Sequence, residues 1–313
     1  MGDTFDEFNS NKICQKYINP ATLRGISQHN RQKSKSEQRY DFSMFHEHFD
    51  TKQVRYYIDK IPVGAVLYLS SKLHGTSGRT ARIKVKQKFY GFRKWWNSWC
   101  PLKFQNEQWL YISGTRKTVM MPDKLYDGGF YKNSDFRQEI HKKIEAVGLH
   151  RGECIFYEIV GWTGINSPVM GVYPIEDKSL IKKYGSSMIF SYGCEEGTYD
   201  FYVYRITQVN EDGVEFDLSW PQVVERVRKL GLKLVPEFVG PIVFESQEQL
   251  LNLCKKYADG SSLLDKRHIR EGVVVRVEHP DMWIALKYKG YFYAELENLA
   301  KNDDSRPDIE EMS

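Results

Sequence analysis

The chain contains an apolar run, Val63–Leu69, that leads directly into the polar segment Ser71–Arg79, which reads Ser-Lys-Leu-His-Gly-Thr-Ser-Gly-Arg. Such a run predicts a buried strand, so Lys72 lies at a strand end. Gly75 follows it, and a glycine lets another backbone approach closely. A lysine in this place can act as a covalent nucleophile, although most lysines after a strand are solvated surface residues. The remaining motifs have to decide between these two interpretations.

The composition indicates a folded protein. The 313 residues are 41% hydrophobic and 14% aromatic, which allows one large domain or one domain with a small appendage. No apolar run approaches the roughly 18 residues of a membrane span, and nothing resembles a signal peptide. We therefore expect no membrane partner.

The cysteines indicate a reducing compartment. Their number is odd, no Cys-x-x-Cys pair occurs, and they are scattered along the chain at Cys14, Cys100, Cys154, Cys194 and Cys254. This pattern disfavours both a disulfide framework and structural zinc. We expect an intracellular, cytoplasmic protein, with a viral or phage origin left open.

The ends of the chain are polar. Residues 1–40 are polar and basic, which predicts a tail or linker with at most a short element near 13–18, followed by one domain over residues 41–313. Within that domain, the segment His46–Asp50 alternates histidines and acids without a partner motif. We interpret this segment as a solvated loop and reject it as a metal site.

The predicted elements give an α+β class with a mostly antiparallel sheet, because strands outnumber helices and no repeat is evident. The predicted strands are Thr80–Val85, Trp109–Ser113, Cys154–Gly161, Asp200–Ile206, Glu271–Arg276 and Trp283–Lys289. The predicted helices run from a Ser134 cap to about Ala146, from Pro221 to Leu230, and from a Ser246–Gln249 capping box to before Gly260.

The segment Lys86–Trp109 is an aromatic and basic insert. The net charge is only +4, yet five cations crowd into eleven residues, at Lys84, Lys86, Lys88, Arg93 and Lys94. Aromatic residues interleave with them, as expected for a surface that stacks on bases and contacts phosphates. A hairpin that packs its aromatic side chains on the domain is an equal alternative.

Several charged residues interrupt strands that otherwise look buried: Lys72, Arg116, Glu158, Glu271, Lys287 and Lys289. Lys287 and Lys289 are two apart on one strand, so both point to the same face and could grip a phosphate. Carboxylates from two other strands could hold a divalent metal or a ribose. The alternative is an internal salt-bridge network.

This ordered set of motifs resembles the covalent nucleotidyltransferase superfamily of ligases and capping enzymes, and within it the RNA ligases. The resemblance covers roughly residues 40–300. Within the RNA ligases, the chain is similar to phage nick-sealing ligases and most of all to Naegleria-type RNA ligases. Its six motifs are Lys72-Leu73-His74-Gly75, Gly114-Thr115-Arg116, Tyr157-Glu158-Ile159-Val160-Gly161, Asp200-Phe201-Tyr202-Val203-Tyr204, Glu271-Gly272-Val273-Val274 and Leu286-Lys287-Tyr288-Lys289.

The resemblance implies a ligase adenylylation domain, with mostly antiparallel sheets flanked by helices, that uses ATP and Mg²⁺ or Mn²⁺. It implies that Lys72 attacks the ATP α-phosphate, helped by Glu271, Lys287 and Lys289. The implied nucleotide-binding residues are Gly75, Arg116, Glu158, Tyr204 and Val274, and the implied metal ligands are Glu158 and Glu271. The implied partner is RNA with 5′-phosphate and 3′-OH ends in a nicked duplex, sealed by a monomer.

Two departures from the family pattern stand out. His74 occupies the place of the usual motif aspartate, which puts a metal-water contact from that position in doubt. Naegleria-type ligases carry an oligonucleotide-binding domain before the transferase domain, and some 40 polar residues are too few to form one, so it is either absent or truncated. A DNA ligase, a GTP-using capping enzyme and a catalytically inactive RNA-binding adaptor remain as alternatives.

Overall fold

The structure is a computed structural model that describes residues 7–8, 11–12, 40–102, 104, 106–116, 118–120 and 136–301. Most of the predicted tail, including the short element near 13–18, lies outside these residues. Two short strands near the beginning, β1 (Glu7–Phe8) and β2 (Asn11–Lys12), pair with each other. The division into a tail and a single domain stays a prediction.

The largest sheet has eight strands. Six of them lie side by side in the order β14 (Glu215–Asp217), β13 (Tyr199–Val209), β9 (Glu153–Gly164), β6 (Thr76–Gln87), β7 (Glu107–Gly114) and β8 (Val119–Met120). Two short strands flank them, β10 (Ser167–Pro168) beside β9 and β3 (Tyr40–Asp41) beside β6. All of these pairs are antiparallel.

A second sheet has five strands, in the order β15 (Glu237–Val243), β5 (Val66–Lys72), β16 (Gly272–His279), β17 (Met282–Lys289) and β4 (Lys52–Gln53). Only the short pairing of β17 with β4 is parallel among the named strands of the described residues. A small ribbon pairs β11 (Tyr173–Pro174) with β12 (Ser187–Met188). The predicted α+β class with mostly antiparallel sheets is confirmed.

The described part of the chain contains seven α-helices: α1 (Val54–Tyr57), α2 (Gly91–Trp99), α3 (Phe136–Val147), α4 (Lys178–Tyr184), α5 (Trp220–Lys229), α6 (Gln247–Ala258) and α7 (Tyr291–Lys301). The three predicted helices correspond to α3, α5 and α6, although the predicted cap of α3 at Ser134 lies outside the described residues. The Ser246 side chain does accept the backbone N–H of Gln249 at the start of α6. None of the described helices is both long and apolar enough to cross a membrane.

Side-chain alternation gives each face of the five-stranded sheet a different role. Leu67 and Leu69 of β5 and Val275 of β16 point to one face and form a core with α6, through residues such as Leu250 and Cys254. The residues between them point to the opposite face, because successive strand side chains alternate. That opposite face is therefore free to carry polar groups toward the other sheet.

The insert contains a helix, α2, and not the hairpin that was one of its two interpretations. All of its residues are exposed or half-buried. The alternative in which the aromatic side chains are buried on the domain is therefore wrong for this helix. The like charges and consecutive bulky side chains of this segment do not prevent a short helix. Residues three and four positions apart on a helix lie on one side, where their side chains can stack.

A buried ion pair joins α5 to the eight-stranded sheet. Arg226 donates to both carboxylate oxygens of Glu153, at 2.7 Å each, and Glu153 is buried in β9. We expect Arg226→Met to lower the free energy of unfolding by about 2 to 4 kcal/mol, because it leaves a buried carboxylate without its cation. Urea denaturation measures this change.

The matched control is Lys229→Met on the same helix, since Lys229 forms an exposed ion pair with Glu225 at 2.6 Å. Exposed pairs contribute little, so its effect should stay below about 1 kcal/mol. Equal losses from the two substitutions would contradict a special contribution of the buried pair.

Candidate active site

A cavity lies between the polar face of the five-stranded sheet and one end of the eight-stranded sheet. From the five-stranded sheet, its wall takes Ser70, Ser71 and Lys72 at the end of β5, and alternate residues of the two strands beyond it: Val274 and Arg276 of β16, and Ala285 and Lys287 of β17. This alternation explains how these two strands supply an apolar core on one face and a charged wall on the other.

The eight-stranded sheet supplies the opposite wall. Ser77 of β6, Glu158 of β9 and Tyr204 of β13 line it. The Ser77 hydroxyl donates to Glu158 Oε2 at 3.2 Å, which orients the carboxylate. Burial, with a smaller contribution from Glu158, raises the pKa of Tyr204, so its phenol stays neutral.

A β-bulge brings an additional side chain into the cavity. The pairing of β13 with β9 shifts between Val203 and Arg205, so Tyr204 has no residue opposite it. In a regular strand, consecutive side chains face opposite sides. Both Tyr204 and Arg205 nevertheless line the cavity, because a bulge redirects one residue.

Gly75 connects the two walls, in the turn between β5 and β6. A Cβ at this position would collide with the backbone carbonyl of Ile159 and touch the Glu158 side chain at 3.0 Å. A glycine is therefore required here by the close approach of β9. Gly75 also lines the cavity.

Lys72 lies at the end of β5, as the sequence predicts. Its Nζ is 2.5 Å from Oε1 of Glu271, a carboxylate with no exposed surface, while the lysine side chain is 19% exposed. The ion pair compensates the cost of burying a carboxylate. It also stabilises the ammonium form of Lys72, since a nearby negative charge favours it.

The sequence profile of the RNA ligase family matches residues 65–289, which include the whole stretch from β5 to the end of β17. The chain belongs to the RNA ligase family. No curated protein matches it.

The solved structures that resemble the chain include mutants of Naegleria gruberi RNA ligase. One without ligand is 17% identical, with a TM-score of 0.49 over 81% of this chain and 57% of that chain. Another, with ATP and Mn, is 16% identical, with a TM-score of 0.49 over 82% of this chain and 59% of that chain. The chain thus spans less than two thirds of the length of these ligases.

Seven of the nine residues that the RNA ligase resemblance singles out line the cavity: Lys72, Gly75, Arg116, Glu158, Tyr204, Val274 and Lys287. The other two, Glu271 and Lys289, are not in the cavity wall. Glu271 contacts Lys72, whereas Lys289 pairs with Glu297 at 2.5 Å and lies 5.4 Å from the ring centre of Tyr293. Their roles in nucleotide chemistry stay predictions.

His74 is enclosed by tyrosines and does not line the cavity. Its backbone N–H donates to the Tyr192 hydroxyl at 2.6 Å, and its ring nitrogens hydrogen-bond the hydroxyls of Tyr173 and Tyr293 at 2.6 and 2.9 Å. Its Nδ1 is also 3.9 Å from Glu271. In this RNA ligase family member, His74 therefore lies beside Glu271 in the protein interior and not in the cavity.

The segment 46–50 is not the solvated loop that the sequence predicts. His48 packs against the rings of Phe156 and Tyr204, with centroids 5.3 and 5.4 Å away, and lines the cavity together with Phe49. Alternating polar residues gave no sign of this packing, because the partners come from distant strands. Among the described residues, no group of three or more candidate metal ligands occurs, and the absence of a metal at residues 46–50 stays a prediction.

Other cavity residues were missed by the sequence reasoning, namely Phe49, Arg205, Trp220, Arg276 and Trp283. Arg276 carried a usable signal, since it interrupts the apolar strand β16. The Arg205 guanidinium lies 4.4 and 5.2 Å from the ring centres of Phe49 and Trp283. Its Nε and Nη2 donate to the two carboxylate oxygens of Asp217, at 2.5 and 2.9 Å. This fixed cation between rings depends on the bulge, which the sequence does not reveal.

His48 should make folding sensitive to acid. Burial, followed by the positive charges of Arg205, Arg116 and Arg79, lowers the pKa of His48 from 6.5 to about 3, against a small opposite effect of Asp50. The unfolded chain therefore binds more protons than the folded chain between these pH values, and stability falls as pH decreases from 6.5 toward 3.

We expect His48→Phe to remove about 2 kcal/mol of this loss between pH 6.5 and about 4.5. Urea denaturation across that pH range measures it. His150→Phe is the matched control, because His150 is exposed, and it should leave the pH slope of the wild type. Parallel curves for wild type and His48→Phe would contradict the assignment to His48.

Proposed function

We propose that this protein is an ATP-dependent RNA ligase that joins RNA 3′-OH and 5′-phosphate ends through lysyl-AMP and RNA-adenylate. The observation that carries the proposal is that Lys72 lines one cavity together with Lys287, Arg116 and Glu158. Membership of the RNA ligase family supports the choice of RNA ligation over DNA ligation or capping.

Lys72 would act as the nucleophile in the first step. Its Nζ forms a bond to the α-phosphorus of ATP while the bond to the bridging oxygen breaks, and pyrophosphate leaves with the electron pair. The amine has to lose a proton first, because only neutral lysine is a nucleophile. Its pairing with Glu271 favours the ammonium, so we infer that substrate binding weakens this ion pair.

Two transfers would complete the reaction. An oxygen of the RNA 5′-phosphate attacks the α-phosphorus, and Lys72 leaves as the amine. The RNA 3′-OH then attacks the adenylated 5′-phosphorus, and AMP leaves. Lys287 and Arg116 in the cavity wall would stabilise negative charge on the transferring phosphates. We further propose that the substrate is a nicked duplex and that the ligase acts as a monomer.

The nucleotide would bind between the two walls. Tyr204 presents an aromatic face and Val274 an apolar one, so together they can enclose a base. Arg116, which pairs with Asp50, would contact the ribose together with Glu158.

A divalent metal would be held by Glu158 and Glu271, since Mg²⁺ and Mn²⁺ favour carboxylate oxygens. The residues fit such an ion in part, because Glu158 faces the cavity while Glu271 pairs with Lys72. When bound, the ion would neutralise charge on the phosphates.

Lys72→Ala should form no protein-AMP, because no other group is proposed to attack ATP. The measurement is transfer of label from ATP to protein, with GTP as the competing nucleotide. Lys255→Ala, which removes an exposed lysine of α6, should label like the wild type. Acid-labile AMP on Lys72→Ala would refute the assignment, labelling by GTP would indicate a capping enzyme, and an unlabelled wild type would indicate an inactive adaptor.

Glu271→Ala and Lys289→Ala should each slow adenylylation about a hundredfold or more, because one removes the carboxylate paired with Lys72 and the other removes a cation on the opposite side of Gly272 from Lys72. Glu297→Gln is the control for Lys289, since it removes the 2.5 Å ion pair and keeps the lysine. Thermal unfolding is measured alongside. A collapsed fold with either alanine, or equal slowing by Glu297→Gln, would support a salt-bridge network instead.

A further inference from the structure

Helix α2 exposes a row of aromatic side chains that the nucleotide cavity does not use. Phe92, Trp95 and Trp99, called here the aromatic platform, are 63%, 52% and 78% exposed. Their rings adjoin one another, with centroids 5.7 Å apart for Phe92 and Trp95 and 5.6 Å apart for Trp95 and Trp99. A continuous exposed apolar row of this kind marks a binding surface.

The platform is held in place by its own surroundings. Trp96 Nε1 donates to the carbonyl of Leu102 at 2.8 Å, and the Asn97 amide bonds both backbone groups of Phe104, at 2.7 and 3.2 Å. These bonds tie the second half of α2 to the segment that returns to β7. The exposed rings therefore belong to a built feature and not to a loose loop.

The chain around the platform is rich in cations. Among the described residues from 84 to 106, lysines and arginines occur at Lys84, Lys86, Lys88, Arg93 and Lys94, and no acidic residue occurs. Glu107 follows, and it pairs with Lys84 and Lys86 at 3.7 and 3.2 Å. Arg93 lies 5.6 Å from the ring centre of Phe104. The surface joins stacking faces to positive charge, which matches nucleic acid and opposes a basic partner.

The platform lies far from the cavity. It follows the end of β6, whose first residue, Thr76, neighbours the cavity residues Gly75 and Ser77. The eleven steps from Thr76 to Gln87 span roughly 36 Å along a strand. That distance corresponds to on the order of ten nucleotide steps at the roughly 3.4 Å spacing of a stacked strand. The platform therefore cannot touch the ends that react.

We propose that the aromatic platform binds unpaired nucleotides of the RNA substrate, on the order of ten nucleotides from the joined ends. The proposal rests on the proposed function, which supplies RNA as the partner. Bases can stack on protein rings only when they are not stacked in a helix, so the ligand is a single-stranded stretch and not the duplex at the nick. Lys88 and Lys94 would contact its phosphates.

The test uses the full chain with Trp95 and Trp99 both replaced by alanine. Affinity is measured by fluorescence anisotropy for nicked RNA duplexes that carry a single-stranded extension of graded length on either side, and for the same duplexes with the extension paired. We expect the double variant to bind the longest single-stranded substrates about tenfold or more weakly, and the fully paired ones like the wild type.

Length dependence and a matched control sharpen the test. Substrates too short to span the distance should bind wild type and double variant equally. Phe216→Ala removes a similarly exposed ring on the edge strand β14 of the large sheet and should change no affinity. Replacing Lys88 and Lys94 by glutamine should reduce the salt slope by about 1.4, or about 0.7 for each phosphate contact on a single strand.

Protein-AMP formation from ATP is measured on every variant and should stay at the wild-type level, because the platform is remote from Lys72. A wild type that binds the extensions without forming protein-AMP would refute the proposed function and keep the platform. Equal weakening on paired and unpaired RNA, or unchanged binding of all RNAs, would overturn the platform proposal. So would a wild-type dimer that the double variant converts to a monomer, since the occupant would then be a second copy.

Discussion

The ion pair between Lys72 and Glu271 is the interaction on which the candidate site depends. A carboxylate without exposed surface is costly unless a cation faces it, and Lys72 supplies that cation from the end of β5. The strand register makes the meeting possible, because Gly272, next to Glu271, lies opposite both Lys72 and Lys289. A Cβ on Gly272 would collide with the carbonyl of Tyr288, so only glycine leaves the three strands at this spacing. The pairing favours the ammonium form of Lys72, since a nearby negative charge stabilises it.

The two sheets contribute to the site in different ways. The five-stranded sheet offers alternate residues of β16 and β17, so most of its wall follows from the pleat. The eight-stranded sheet departs from regularity at Tyr204, where a bulge lets Arg205 face the cavity as well. Asp217 then fixes Arg205 between aromatic rings. The remote α2 follows β6 in the chain, so this one long strand of the eight-stranded sheet connects the cavity with the aromatic platform.

Much of the fold could be predicted, because its core strands correspond to apolar runs in the sequence. Cys154–Gly161 and Trp283–Lys289 lie within β9 and β17 as expected. The capped helix after Ser246 could be predicted for a local reason, since its cap bonds only its own first turn. Helix α7 escaped prediction, since its buried Tyr293 and Leu296 pack on a core formed by distant strands. The packing of His48 could not be predicted for the same reason, because the rings of Phe156 and Tyr204 that it contacts are distant in the sequence.

The sequence by itself determined the α+β class, the strand-end position of Lys72 and the set of charges that interrupts buried strands. These are properties of local pattern, since a charge within an apolar run is costly wherever the run folds. Only the tertiary structure decided which of those charges share a cavity wall. It placed Lys287 in the wall and Lys289 against Glu297, although both lie on the same strand face. It also enclosed His74 among tyrosines and left the aromatic residues of α2 exposed. Burial depends on which distant elements pack together, and a one-dimensional pattern does not contain that information.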